Sequence, residues 1–175
     1  MLSWPRPVRH SGLALFVLLA IQWVPAPARA ADPIPVAVFD FELYDTSLEG
    51  EVKGLNAEEQ SRLQLISEQL RDMLGASERY RIVDIVPASK MIEEAGNWQN
   101  CQGCDTKIAK TLGAELSMTG EVQKVSNLIL NINIYVRNVE TGKLIQAASA
   151  DIRGNTDKSW KRGVSYLVRN RLLRK

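Results

Sequence analysis

Residues 113–144 read GAELSMTGEVQKVSNLILNINIYVRNVETGKL, and this stretch decides the fold. Between Asn127 and Val139 the residues alternate. Leu128, Leu130, Ile132, Ile134 and Val136 face one way; Asn131, Asn133, Tyr135 and Arg137 face the other. A period of two is that of a strand with one buried face. Glu115–Lys124 reads as a strand before it, and the Glu-Thr-Gly turn at 140–142 leads into another, Lys143–Arg153. One face of this antiparallel unit must pack on helices. The other, with Thr119, Glu121, Asn131, Asn133 and Tyr135, is left polar and offers a contact surface.

The flanking segments supply the remaining elements. Ile34–Leu43 (IPVAVFDFEL) is apolar on both faces until its end, as an interior strand is. A polar loop over 44–57 leads to an amphipathic helix, Glu58–Leu74, with Leu63, Ile66, Leu70, Met73 and Leu74 on one side. Tyr80–Val86 is a short strand stopped by Pro87, and brief helices follow over Ser89–Ala95 and Asp105–Leu112. Thr156–Leu172 closes the chain as a helix that turns Trp160, Val164, Leu167, Val168 and Leu172 inward. The predicted order is β-α-β-α-α-β-β-β-α. This is an α/β (α+β) fold, one domain over 31–175, with a mixed five-stranded sheet and helices mainly on one face.

The chain has 175 residues, 45% of them hydrophobic and 24% charged, which is ordinary globular composition. Residues 1–30 read as a secretory leader: Arg6, Arg9 and His10 come first, then a 13-residue apolar run, Gly12–Val24, then Ala28-Arg29-Ala30 at the cut. That run is short of the roughly 20 residues a spanning helix needs. The first cysteine is Cys101, far from any lipidation point. The expectation is a Sec-exported, soluble periplasmic protein without a lipid anchor, touching membrane at most peripherally. Three of the 22 basic residues leave with the leader, so 19 bases face 20 acids and nucleic acid is an improbable partner. The single histidine, His10, leaves too, which excludes histidine-dependent triads, zinc sites and general bases from the mature chain.

The stretches VAVFDFELYDTSLEGE (36–51), GAELSMTGEVQKVSNLILNINIYVRNVETGKL (113–144) and DIRGNTDKSWKRG (151–163) resemble a family of exported bacterial proteins known only as a domain of unknown function. More distantly, "GA-x-L…TG-x-V" and "V-x-x-V-x-TG" are similar to the amino-terminal domain of TolB and the periplasmic domain of the curli secretion channel. The resemblance implies a helix-covered mixed sheet and a role in assembly or recognition. The lipid anchor of the curli channel and the propeller of TolB have no counterpart here, so pore formation and Tol-type docking do not carry over.

Four constellations bear on chemistry. Cys101-Gln-Gly-Cys104 is expected to form a disulfide after export, either a clip on the 97–104 loop or a redox couple at a helix start. Zinc would need two more Cys or His ligands, and Asp105 stands where haem attachment needs histidine. Asp40 and Glu42, two apart on a strand and therefore on one face, lie with Asp45, Glu49 and Glu51 at the carboxyl end where open α/β sheets bind ligands. They could act as acid and base or as oxygen ligands for a hard cation, or simply pair with nearby Lys and Arg. Charge is segregated: eight acids against Lys53 over 31–60, and eight bases against Asp157 over 153–175, a wet face or a docking surface for an acidic partner or anionic headgroups. In Arg153-Gly-Asn-Thr-Asp157, Asn155 or Thr156 can cap the last helix while Gly154 turns the corner, and the loop can also serve recognition.

No catalytic motif, metal set or cofactor signature emerges. The expected function is a non-enzymatic envelope accessory protein whose partner is another envelope protein; the alternative is thiol–disulfide or sulfur chemistry at Cys101 and Cys104. The candidate binding residues are Asp40, Glu42, Asp45, Asn131, Asn133, Arg153, Asn155, Asp157 and Trp160.

Overall fold

The ten residues from Ile34 to Leu43 carry so many β-branched and aromatic side chains that the strand they form has apolar neighbours on both faces, which places it inside the sheet. In a computed structural model, which describes Met1, residues 32–54 and residues 56–174, that strand is β1 (Ile34–Asp45). The expected leader cleavage after Ala30 lies outside the described residues. The elements that follow are α1 (Leu48–Lys53), α2 (Ala57–Gly75), β2 (Tyr80–Val83), α3 (Ser89–Ala95), α4 (Cys104–Thr111), β3 (Leu116–Ser126), β4 (Ile129–Asn138), β5 (Leu144–Arg153) and α5 (Asp157–Leu167), which runs on as a π turn over Val168–Leu172. The strands lie in the order β2-β1-β3-β4-β5. β1 is parallel to β2 and β3, and β3–β4–β5 is an antiparallel meander. The mixed five-stranded α/β fold is as the sequence predicts.

Two layers flank the sheet. On one face α2 and α5 bring Leu63, Ile66, Leu70, Leu74, Trp160, Val164 and Leu167 onto Val36, Met118, Ile132 and Ile134. On the other face α3 and α4 enclose a smaller core of Ala37, Phe39, Ile108, Ala109 and Val139, leaving the polar half of β3, β4 and β5 uncovered. The loop expected over 44–57 contains α1, because the Ser47 side chain accepts from the Gly50 N–H and caps a turn with Glu49 and Glu51 at its start. Leu128, expected to face inward, is exposed: it precedes β4, in the turn after β3. Gly154 turns the β5–α5 corner with φ +85°, as the sequence predicts.

A bulge in β1 changes which side chains share a face. Val38 pairs with Met118 but Phe41 pairs with Gly120, so β1 holds one residue more than β3 across that interval. The Phe41 N–H is given to Ser67 Oγ of α2 at 2.9 Å, so a buried donor finds its acceptor in the neighbouring layer. The Phe41 ring lies over Gly120, where any Cβ would overlap it. Gly120→Ala is therefore expected to cost about 1–3 kcal/mol by overpacking. Urea denaturation measures it, and Phe41→Leu in the same chain should recover part of the loss; an unchanged midpoint for the single variant would refute the close approach.

Candidate functional site

At the carboxyl end of β1 and β3, where the sequence leaves the acids either a ligand or nearby Lys and Arg as partners, a lysine is buried. Lys124 has the parity of Leu116, Met118 and Val122 on β3, so its side chain enters the apolar layer, and it is 1% exposed. Its Nζ donates to Glu59 Oε1 at 2.6 Å and to Asp45 Oδ2 at 2.9 Å. Asp45 also accepts from the Ser47 N–H at 2.9 Å. Asn155 Nδ2 donates to the same Glu59 oxygen at 2.7 Å, while Asn155 Oδ1 accepts from Trp160 Nε1 at 3.0 Å. Arg62 joins Asp157 at 2.9 Å and Glu58 at 2.8 Å at the margin. Asp45 is thus brought together with Asn155, Asp157 and Trp160 from the other end of the chain, in a network that the chain's own donors fill except at Glu59 Oε2, which is buried without a hydrogen-bond partner. Thr156 takes the cap of α5, accepting from the Ser159 N–H, so Asn155 is free to bridge.

Burial works against the Lys124 ammonium, yet its hydrogen bonds to Glu59 and Asp45 outweigh burial and hold its pKa above the ordinary lysine value. Burial likewise pushes the Asp45 carboxyl up, but the bonds from Ser47 and Lys124 prevail and hold it below the ordinary range. Asp45 therefore adds stability above about pH 4, lost as pH falls through its lowered native value; Lys124 adds stability below about pH 10, lost as pH rises through its raised one.

The second constellation lies on the uncovered face. The β1 bulge separates the two acids that the sequence puts on one face: Asp40 pairs with Arg71 of α2, whereas Glu42 accepts from the Trp98 N–H at 3.1 Å in the opposite layer. Glu42 instead stands beside Glu121, its registered partner on parallel β3. Like charges in register repel. Half-burial, reinforced by Glu121 and opposed by the Trp98 hydrogen bond, raises the Glu42 pKa to about 7. The two carboxylates line a cleft of about 470 Å³ with Tyr44, Trp98, Gln99, Tyr135 and Arg137.

The Cys101–Cys104 disulfide closes the loop that delivers Trp98 and Gln99 to this cleft. Trp98 packs on Phe39 with ring centres 4.6 Å apart, and Gln99 donates to Glu121. On the same face Asn131 donates to Asp151 at 2.7 Å and accepts from Ser149 at 3.0 Å, a polar ladder across β4 and β5, with Asn133 beside Glu121 in register. Arg153 lies apart, exposed at the end of β5. Sequence reasoning missed Lys124, Glu59, Trp98 and the pairing of Glu42 with Glu121. A lysine at apolar parity was the available signal for the first; the bulge, which flips the last pairing, has none. Among the described residues no cluster of His, Cys, Asp and Glu is arranged to hold a metal ion, and no helix is long and apolar enough to cross a membrane.

The model of a family described as Protein of unknown function (DUF2380) matches residues 35–172. A search of curated proteins finds no match. Among solved structures, the LpoB C-terminal domain from Salmonella enterica is similar at 17% identity and a TM-score of 0.50, over 73% of this chain and 87% of that one. Lipoprotein GNA1162 from Neisseria meningitidis matches at 13% identity over 80% and 99% of the two chains, with a TM-score of 0.47. The PelC dodecamer from Paraburkholderia phytofirmans matches at 13% over 81% and 90%, with a TM-score of 0.46. The likeness to the LpoB domain is one of fold; the other two scores are too low to carry argument. The expected resemblance to a family of unknown function holds, and neither TolB nor the curli channel is among these three structures.

Lys124→Met should cost about 3–5 kcal/mol, because it leaves Glu59 and Asp45 buried without their counter-charge. Adding Glu59→Met to it should restore part of that, read by chemical denaturation at pH 7; equal stability of wild type and the single variant would show the pair to be inert. Glu42, raised to about 7, stabilises fully below its unfolded value near pH 4 and loses that contribution as pH climbs through 7. Wild-type stability should therefore decline between pH 5 and pH 8 more steeply than that of Glu42→Gln, whose side chain stays neutral while still accepting from Trp98.

Proposed function

The chain belongs to the family described as Protein of unknown function (DUF2380), and we propose that it serves in the envelope, after export, as a non-catalytic partner-binding protein. One observation carries this reading. At the carboxyl end Asp45 and Glu59 are taken inside the fold by Lys124 and Asp40 by Arg71, whereas the polar half of the sheet, with Glu42, is left uncovered on a five-stranded scaffold. Glu42, Glu121, Asn133, Tyr135 and Arg137 project from three adjacent strands there, all of them part-exposed. Side chains fixed by strands rather than loops present a contact surface with little ordering entropy left to lose. The partner that fits is a protein surface bearing hydrogen-bond donors and an apolar group for the Trp98 and Tyr135 faces. The absence of histidine after Ala30 points the same way, since the commonest general base is missing from the exported segment.

The disulfide fits this reading as a clip. It holds the short loop whose residues Trp98 and Gln99 wall the cleft, and the redox alternative draws on no contact beyond the motif itself.

A photo-crosslinking residue at Tyr135 of the exported protein, irradiated in intact cells, should yield one dominant adduct with another envelope protein. Failure to form any adduct across growth conditions would overturn the proposal. Replacing both cysteines by serine should cost about 2 kcal/mol of stability by loop-closure entropy and weaken the adduct. If the reduced protein instead keeps full stability and the pair has a potential above about −200 mV, the cysteines are a working couple and the redox reading takes its place.

A further inference from the structure

The far edge of the sheet carries a second surface. β5 pairs with β4 on one side only, so its other edge presents free backbone donors and acceptors. The first half of that edge is disturbed by a register shift at Ile145 and approached by the C-terminal turn, where Gln146 Nε2 donates to the Arg171 carbonyl at 2.7 Å. The second half, Ser149–Arg153, runs in unbroken register, its last carbonyl, that of Arg153, already accepting from Ser159 Oγ at 2.7 Å, and borders a groove of about 800 Å³ between β5 and α5. Ala150, Ile152 and Gly163 line it together with the bases Arg153, Lys158 and Arg162 and one acid, Asp151, which accepts from Asn131 at 2.7 Å.

None of these three exposed cations has a carboxylate within ion-pair distance among the described residues, although acids are as numerous as bases in the exported segment. Gly163 is what lets α5 pack closely here: a Cβ there would lie 2.8 Å from Ile132 Cδ1 and Ile152 Cγ2, so the helix settles directly on the sheet. A strand edge facing a helix across a groove is the geometry in which extended peptides add a strand, with main-chain hydrogen bonds giving affinity and alternate side chains giving specificity.

From the open edge, the groove and its unpaired cations together, we infer that β5 and α5 bind an extended acidic segment of a partner protein, which pairs with Ser149–Arg153 while its carboxylates meet Arg153, Lys158 and Arg162. The inference rests on the partner-binding reading and assigns it a surface separate from the Glu42 cleft. A concave groove with a backbone edge suits a strand; a headgroup layer would meet the cations and leave the edge unpaired.

The test uses the exported protein with a short peptide alternating glutamate with threonine and valine, the same peptide with lysine for glutamate, and vesicles of phosphatidylglycerol in phosphatidylcholine. The acidic peptide should bind and perturb the amide resonances of Ser149–Arg153. The combined variant Arg153→Ala, Lys158→Ala, Arg162→Ala, all exposed positions, should keep the fold and bind at least about tenfold more weakly. No binding of the acidic peptide, equal binding of the lysine peptide, or an unchanged affinity in the variant overturns the inference. Vesicle binding lost in the variant without peptide binding overturns it in favour of a lipid surface. Because Tyr135 lines the cleft and its partner on β5, Ala147, does not line this groove, persistence of the crosslink at Tyr135 would keep the partner-binding reading standing where the groove fails.

Discussion

A lysine that is 1% exposed on the apolar side of a strand sets the terms for everything at the carboxyl end of this sheet. An ammonium taken out of water costs several kcal/mol unless its counter-charges are close and oriented. Lys124 obtains them from two other elements: Asp45 ends β1, and Glu59 lies in the first turn of α2. Ser47 fixes Asp45 and at the same time caps α1, which makes the intervening segment a helix and not a slack loop. Asn155 then carries the network to α5 by bridging Glu59 and the Trp160 indole. One buried charge thereby makes the ends of β1 and β3, the start of α2 and the β5–α5 corner a single polar unit. The identity of that corner, Gly154 for the turn, Asn155 for the bridge and Thr156 for the cap, follows from having three separate jobs in three consecutive residues.

The β1 bulge does the equivalent work for the faces. Without the extra residue, Asp40 and Glu42 would share a side, as strict alternation demands. With it, Asp40 turns to Arg71 in the helical layer and Glu42 turns to Trp98 and Glu121 on the open face. The acid pair legible in the sequence is therefore dissolved, and a different pair, 79 positions apart, is assembled by parallel register.

What could be read in advance divides along the same physical line. Periodic segments declared themselves: the 3.6-residue spacing of Leu63, Ile66, Leu70 and Leu74 and the alternation from Leu130 to Val136 both survive as buried faces. Leu128 continued the alternation on paper, but the strand had not yet begun there, and turn geometry overrode the pattern. α1 was hidden because six residues bury no side chain and so leave no apolar stripe to detect. Of the candidate site residues, Asp45 reads in sequence with the acidic cluster, Asn155 and Asp157 with the loop before the last helix, and Trp160 with that helix; that they meet depends on Lys124 and Glu59, which the sequence reading did not single out. A bulge and a cross-sheet register are set by three-dimensional packing, and no local pattern encodes them.

The acids over residues 31–60 and the bases over residues 153–175 look, in sequence, like partners for each other. They are not. Asp40 is neutralised by Arg71, Asp45 and Glu59 by Lys124, and Glu58 by Arg62, all bases from the middle of the chain. The only carboxylate of the basic segment, Asp157, is taken by Arg62 as well. The middle of the chain thus absorbs the acids and leaves Arg153, Lys158, Lys161, Arg162, Arg169 and Arg171 exposed without ion-pair partners among the described residues. A net charge near zero consequently coexists with a run of unpaired bases from the end of β5 along α5 and its π turn. Exposed like charges gathered in one run weaken the fold slightly and steer encounters strongly. Their retention beside an unpaired strand edge, which cationic side chains also guard against self-association, fits a surface kept for a partner of opposite sign better than one that is merely hydrated.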